Sequence, residues 1–123
     1  MDVIQLKYPH QLVKNGGPYS LAVGFFDGVH LGHQQVIKTA IKHANEKGIK
    51  SAVMTFDPHP SIVLGGRNEK VFYITPLEQK IEKLKGLGVD TVFVVNFTSD
   101  FAKLSPEDFV QFFIKDLHVV HVT

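Results

Sequence analysis

Short apolar runs alternate with helical segments along the whole chain, and this alternation most constrains the fold. The apolar runs cover residues 20–26, 50–56, 91–95 and 118–122. The segments between them have apolar residues at helical spacing and cover residues 31–46, 75–87 and 105–117. This order predicts a doubly wound parallel α/β sheet, with helices on both faces and strands that are apolar on both sides.

Capping residues and glycines mark the ends of the predicted helices. Thr75 is a suitable N-cap, and Pro76 then occupies the first helical position of the second helix. Gly48 follows the first helix, and Gly86 and Gly88 are predicted to end the second. These boundaries leave residues 27–30, 57–74 and 96–104 between the first three strands and the helices that follow them.

Composition limits the class of protein. The 123 residues, 44% of them hydrophobic, suit one packed domain. A net charge of +1 with dispersed basic residues predicts no nucleic-acid partner. The absence of cysteine excludes disulfides and thiolate chemistry and is compatible with the cytoplasm. We expect no signal peptide and no membrane segment, because the apolar runs are only strand-length.

Polar residues follow three of the predicted strands. Their loops are residues 24–33, 57–60 and 96–99. In open α/β sheets, ligands bind outside the carboxyl ends of the strands. The functional candidates are therefore expected to meet at one edge of the sheet.

The first of these loops is typical of a phosphate-binding site. Gly24, Gly28 and Gly32 recur every four residues, which matches neither the dinucleotide fingerprint nor a P-loop. His30 and His33 open the following helix, whose first turn has free N–H groups and a positive dipole end. Gly32 leaves room for a phosphate near the backbone, and both imidazoles can donate hydrogen bonds to it.

Two other interpretations of this loop stay open. The first is a plain helix start with two surface histidines and turn-forming glycines. The second is a protein metal site, for which the available ligands are Asp27, His30, His33, Asp57 and His59. We expect no metal held by protein ligands alone, and instead Mg²⁺ bound mainly through substrate phosphates.

Three strings of residues together resemble one family. They are residues 24–33, residues 55–60 (Thr-Phe-Asp-Pro-His-Pro), and residues 96–98 (Asn-Phe-Thr) followed by residues 104–110. The chain resembles the nucleotidyltransferase superfamily and, within it, the N-terminal adenylyltransferase module of bacterial bifunctional riboflavin kinase/FAD synthetases. The resemblance covers nearly the whole chain and implies a Rossmann-like fold.

The resemblance also implies an activity, substrates and residue roles. AMP would pass from ATP, accompanied by Mg²⁺, to FMN, giving FAD and pyrophosphate by direct in-line attack. His30 and His33 would be catalytic and hold the ATP phosphates. The residues implied in nucleotide or flavin binding are Gly24, Phe25, Phe26, Asp27, Gly32, Asp57, Pro58, His59, Pro60 and Asn96. Without the resemblance, residues 57–60 would be a rigid turn, and Asn96 a turn former.

Family members continue beyond the position where this chain ends. We therefore expect residues 1–123 to be one partial adenylyltransferase domain, incomplete at its C-terminal side, without the riboflavin kinase domain. An uncovered fourth strand predicts some self-association through the sheet edge. Two alternatives remain: a nucleotidyltransferase with another phosphate acceptor, and a nucleotide- or flavin-binding module without turnover.

Overall fold

The computed structural model describes residues 2–7, 18–24, 26, 31–57, 77–115 and 117–123. The strands are β1 (Asp2–Lys7), β2 (Tyr19–Val23), β3 (Lys50–Asp57), β4 (Thr91–Asn96) and β5 (Val119–Val122). The helices are α1 (Leu31–Lys47), α2 (Leu77–Leu87), α3 (Ser99–Ala102) and α4 (Pro106–Val110). A π-helical turn, Gln111–Lys115, continues α4.

All five strands lie parallel in one sheet, in the order β1-β4-β3-β2-β5. The predicted parallel α/β fold is therefore confirmed, with one strand more than the sequence interpretation had. The additional strand is β1, which pairs with β4 at the edge of the sheet. Most of its residues are exposed and only Leu6 is buried, so it lacks the continuous apolar run that identified β2, β3 and β4.

Successive side chains along each strand lie on opposite faces of the sheet and form two cores, one on each face. On one face, Phe93 packs in a cluster with Phe113 from the π-helical turn. On the other face, Val92 packs in a cluster with Ile37 of α1 and Leu84 of α2. The sheet is thus doubly wound, and the second face is called the α1/α2 face below.

Glycines end two helices, although one predicted end was wrong. Gly48 and Gly88 have φ values of 65° and 91°, which glycine adopts without the strain of a Cβ, and each follows its helix. Gly86 lies inside α2 and does not end it. The predicted caps Thr75 and Pro76 lie outside the described residues.

A reciprocal set of hydrogen bonds joins the start of β3 to the turn before β4. The backbone N–H of Ser51 donates to Asp90 Oδ2 at 2.9 Å, and Ser51 Oγ accepts from the backbone N–H of Asp90 at 3.0 Å. Because Ser51 is buried, these bonds satisfy polar groups that burial would otherwise leave costly. They align the two central strands at their amino ends.

Candidate functional site

The described parts of the three predicted loops lie at the carboxyl edge of the sheet. The backbone N–H of Gly24, after β2, donates to the carbonyl of Met54 in β3 at 3.0 Å. The backbone N–H of Phe97, after β4, donates to the carbonyl of Asp57 at 3.1 Å. The prediction that these chain segments meet at one edge is confirmed for β2, β3 and β4.

Half of the predicted site residues fall within the described chain. Those that the structure describes are Gly24, Phe26, Gly32, His33, Asp57 and Asn96. Those outside the described residues are Phe25, Asp27, His30, Pro58, His59 and Pro60. The geometry below therefore concerns the first group.

The chain leaves β2 earlier than predicted, at Val23 instead of Phe26. Phe26 has φ of 52°, a left-handed conformation that a bulky residue adopts at a cost of about 1–3 kcal/mol. Its ring is buried and meets the imidazole of His33 edge-to-face, with centroids 5.4 Å apart. With this backbone conformation, Phe26 places an aromatic ring against the His33 imidazole.

Gly24 is the residue that makes room for this ring. A Cβ at position 24 would lie 3.0 Å from Phe26 Cζ and 3.2 Å from two further ring atoms. Such contacts are shorter than ordinary van der Waals separation, and the ring is packed within the α1/α2 core. Gly24 therefore allows the close approach of Phe26, whose ring a Cβ at this position would force to shift by a few tenths of an ångström.

We predict that Gly24→Ala displaces the Phe26 ring from His33 and destabilises the fold by roughly 1–3 kcal/mol, because overpacking forces the ring to move. The ring-current shift of the His33 imidazole protons should decrease in NMR spectra, and the midpoint of urea unfolding should fall.

The matched control for this change is Gly86→Ala, since nothing lies within 4 Å of a Cβ at that helical position. Replacing glycine by alanine there should stabilise the protein by roughly 0.5–1 kcal/mol and leave the His33 shifts unchanged. Unchanged His33 shifts in Gly24→Ala would contradict the contact.

His33 lies in the first described turn of α1, where the helix opens toward the carboxyl edge. The turn contains no acidic residue, so no carboxylate offsets the positive end of the helix dipole. Gly32 is exposed, and Leu31 is 81% exposed, so the mouth of the helix is accessible from solvent. An anion approaching this turn would meet the positive end of the helix dipole and the His33 imidazole together.

A polar row of side chains continues along the same edge, away from α1. Asp57, Asn96 and Lys7 occupy paired positions on the neighbouring strands β3, β4 and β1. They line a cavity of about 310 Å³, together with Gln5 and Leu77. The row offers a carboxylate, an amide and an ammonium group to a single ligand.

Lys7 and Gln5 were not predicted as site residues, because β1 was not predicted as a strand. Their only sequence signal is the alternation of residues 3–6, in which Ile4 and Leu6 pack in the opposite core. Gln5 and Lys7 consequently lie on the α1/α2 face. Strand pairing with β4, a long-range contact, brings them to the cavity.

A buried lysine lies on the same face of the sheet, closer to its amino edge than this row, and it was not identified from the sequence. Lys80 of α2 is only 3% exposed, and its ammonium group donates to the Thr55 hydroxyl at 3.2 Å. Thr55 is two residues before Asp57 on β3, so the two side chains share a face of the sheet. The sequence signal was the position of Lys80 within the apolar stripe that includes Leu77 and Leu84.

Metal coordination receives no support from the described part of the chain. There, no three His, Asp or Glu side chains lie close enough to hold a metal ion together. Of the five ligands considered from the sequence, Asp27, His30 and His59 lie outside the described residues.

None of the described helices is long and apolar enough to cross a membrane.

Comparison with known proteins gives consistent results. Residues 13–123 match the model of the FAD synthetase family. A bifunctional riboflavin kinase/FMN adenylyltransferase of Listeria monocytogenes is 57% identical over 102 residues, which are 83% of this chain and 32% of that protein. The Bacillus subtilis protein of the same name is 50% identical over 98% of this chain and 39% of its own length.

A solved structure confirms the fold. The crystal structure of a protein from Streptococcus pneumoniae, named a macrolide-efflux protein, superposes with a TM-score of 0.84 at 27% sequence identity. The match covers 99% of this chain and 47% of that one. The chain thus spans about a third to two fifths of the length of the two curated relatives, and about half of the solved structure.

Proposed function

Because the chain belongs to the FAD synthetase family, we propose that it carries an FMN adenylyltransferase site, which transfers AMP from ATP to FMN and yields FAD and pyrophosphate. The observation that supports this most directly is the position of His33, which lies in the first turn of α1 at the carboxyl edge and packs edge-to-face against Phe26. A nucleotide phosphate suits this position, since the helix end and the imidazole both favour an anion.

The proposed reaction is an in-line displacement at the α-phosphorus of ATP. An oxygen of the FMN phosphate forms the new bond, and the bond from the α-phosphorus to the oxygen bridging to the β-phosphate breaks, releasing pyrophosphate. Phosphoryl-type transfer depends mainly on positioning and charge stabilisation. We assign His30 and His33, with the N–H groups at the start of α1, to stabilising the negative charge on the reacting phosphates.

The other site residues are assigned to binding. We propose that Gly24, Phe25, Phe26, Asp27 and Gly32 shape the nucleotide side, and that Asn96 and residues 57–60 lie toward the flavin. The position of Asp57 and Asn96 on adjacent strands supports the second group, since both line the polar cavity beyond α1. Mg²⁺ would neutralise phosphate charge and be held mainly by ATP itself, since this ion favours phosphate oxygens with few carboxylates.

Further parts of the proposal concern the setting of this site. We propose that residues 1–123 belong to the adenylyltransferase module and not to the kinase module, and that the protein acts in the cytoplasm on small molecules and not on nucleic acids.

Self-association through β5 is supported by its place at the sheet edge and by Val120 and Val122, which are 56% and 48% exposed. Light scattering that finds only monomer at high concentration would exclude it.

The test is pyrophosphate release by the purified chain with ATP and a panel of acceptors. We expect release with FMN and none with phosphopantetheine or glycerol phosphate. Release with another acceptor but not FMN would favour a different nucleotidyltransferase. Calorimetric binding of ATP and FMN without release would favour a binding module. If the chain bound neither ligand, the proposal would be wrong.

The name of the Streptococcus pneumoniae protein suggests a different activity for that protein. We do not extend it to this chain, since that structure is 27% identical, whereas the relatives at 50–57% identity bear adenylyltransferase names. The shared fold is compatible with many activities, and a function is argued from its site.

A further inference from the structure

We propose that Lys7, at the end of the edge strand β1, binds the phosphate acceptor and extends its subsite from Asp57 and Asn96 to β1. This inference rests on the proposed function and adds a residue from a strand that the sequence interpretation did not include. Lys7 lies next to Asn96 in the strand register and lines the same cavity of about 310 Å³. Its charge places a strong hydrogen-bond donor where the cavity otherwise has amides and a carboxylate.

The direction of the polar row assigns these groups to the acceptor and not to ATP. Neighbouring strands are about 4.8 Å apart, so β1 lies about 14 Å from β2 across the sheet. The helix that provides the phosphate site, α1, follows β2 directly and packs on β2 and β3. If the reacting phosphate lies at α1, the rest of the acceptor molecule extends toward β1 and lies over Asp57, Asn96 and Lys7.

The chemistry of the row suits a molecule with hydroxyl and carbonyl groups beyond its phosphate. Asp57 accepts hydrogen bonds from hydroxyl groups, and Asn96 both donates and accepts them. Lys7 donates only, which suits carbonyl or hydroxyl oxygens at the outer end of the cavity. Gln5 lies two residues before Lys7 on the same face and adds a second amide. A flavin bearing a phosphorylated polyol chain has acceptor oxygens along such a length.

Lys7 is therefore a binding residue, and its removal should affect the acceptor alone. In the test, FMN binding to the chain is measured by quenching of flavin fluorescence and ATP binding by calorimetry. We expect Lys7→Gln to raise the dissociation constant of FMN about tenfold, as expected for loss of a charge-assisted hydrogen bond, and to leave that of ATP unchanged. Lys7→Arg keeps the charge and should retain most of the FMN affinity.

The matched control is Lys50→Gln. Lys50 is an exposed lysine at the first residue of β3, at the opposite end of the sheet. The substitution removes the same charge, so both dissociation constants should remain at their original values. Circular dichroism should show the same fold in all three variants, since Lys7 and Lys50 are exposed.

Each other outcome overturns a defined claim. If the unaltered chain binds FMN and Lys7→Gln binds it equally well, the inference is wrong and the proposed function stands. An equal rise in the dissociation constants of ATP and FMN would also contradict the inference, because Lys7 would then act through the general charge of the site. Failure of the unaltered chain to bind FMN would overturn the acceptor assignment and this inference with it.

Discussion

Replacing His33 with alanine is expected to lower the rate of pyrophosphate release by about a hundredfold to a thousandfold, with the fold retained. Removing one preorganised donor from a developing negative charge typically has an effect of about that size. The protein also loses the edge-to-face contact with Phe26, which contributes about 0.5–1.5 kcal/mol. Thermal unfolding should therefore shift by only a few degrees. Rate assays and circular dichroism on the same preparation measure both effects.

The control for His33→Ala is His43→Ala, on the same helix. His43 lies away from the helix start and packs against His121, with ring centroids 4.1 Å apart. Its removal should cost a similar ring contact and leave the rate unchanged. If His33→Ala were as unfolded as a truncation in the core, the interpretation of this segment as a plain helix start would be correct and the site assignment wrong.

Replacing Phe93 with alanine is expected to destabilise the protein by about 3–5 kcal/mol, the usual cost of truncating a buried aromatic residue. Phe93 is fully buried in β4, between β1 and β3, and packs edge-to-face on Tyr19 with centroids 5.2 Å apart. Equilibrium unfolding in urea, followed by circular dichroism, measures the loss. It is a large part of the roughly 5–15 kcal/mol by which a typical domain is stable.

The control for Phe93→Ala is Val3→Ala on β1. Val3 is 43% exposed at the sheet edge, and such surface substitutions usually change stability by about 0.5 kcal/mol or less. A cost below about 1 kcal/mol for Phe93→Ala would contradict the burial of β4. Together, Phe93→Ala and His33→Ala distinguish a residue that stabilises the fold from one that is proposed to act on the ligand.

Burial explains which elements the sequence predicted. Strands β2, β3 and β4 are buried on both faces, so each is a continuous apolar run that is visible without any partner. Strand β1 is exposed along most of its length, and pairing with β4 defines it. Helix α3 spans only Ser99–Ala102 and is capped by Thr98, whose hydroxyl accepts from the Phe101 N–H. A single turn of this kind is too short for periodicity to reveal.

The site shows the same division. His33 was predicted because it opens a recognisable helix. Asp57 and Asn96 became candidates because each follows a recognisable strand, but their binding roles, like that of Gly24, came only from the family resemblance. Lys7 could not be predicted in that way, since it reaches the cavity through the register of β1 against β4. Lys80 was missed for a related reason. A lysine in an amphipathic helix usually faces solvent, and only the packing of α2 on β3 buries it beside Thr55.

The alternation of strands and helices, and the choice of the start of α1 as the candidate phosphate site, were determined by the sequence itself. They depend on residue types at local spacing, which hold in any environment. Tertiary structure alone decided the left-handed backbone conformation of Phe26, its contact with His33, and the row that joins Lys7 to Asn96 and Asp57. These features depend on contacts between residues distant in the chain, and such contacts exist only after the sheet has assembled.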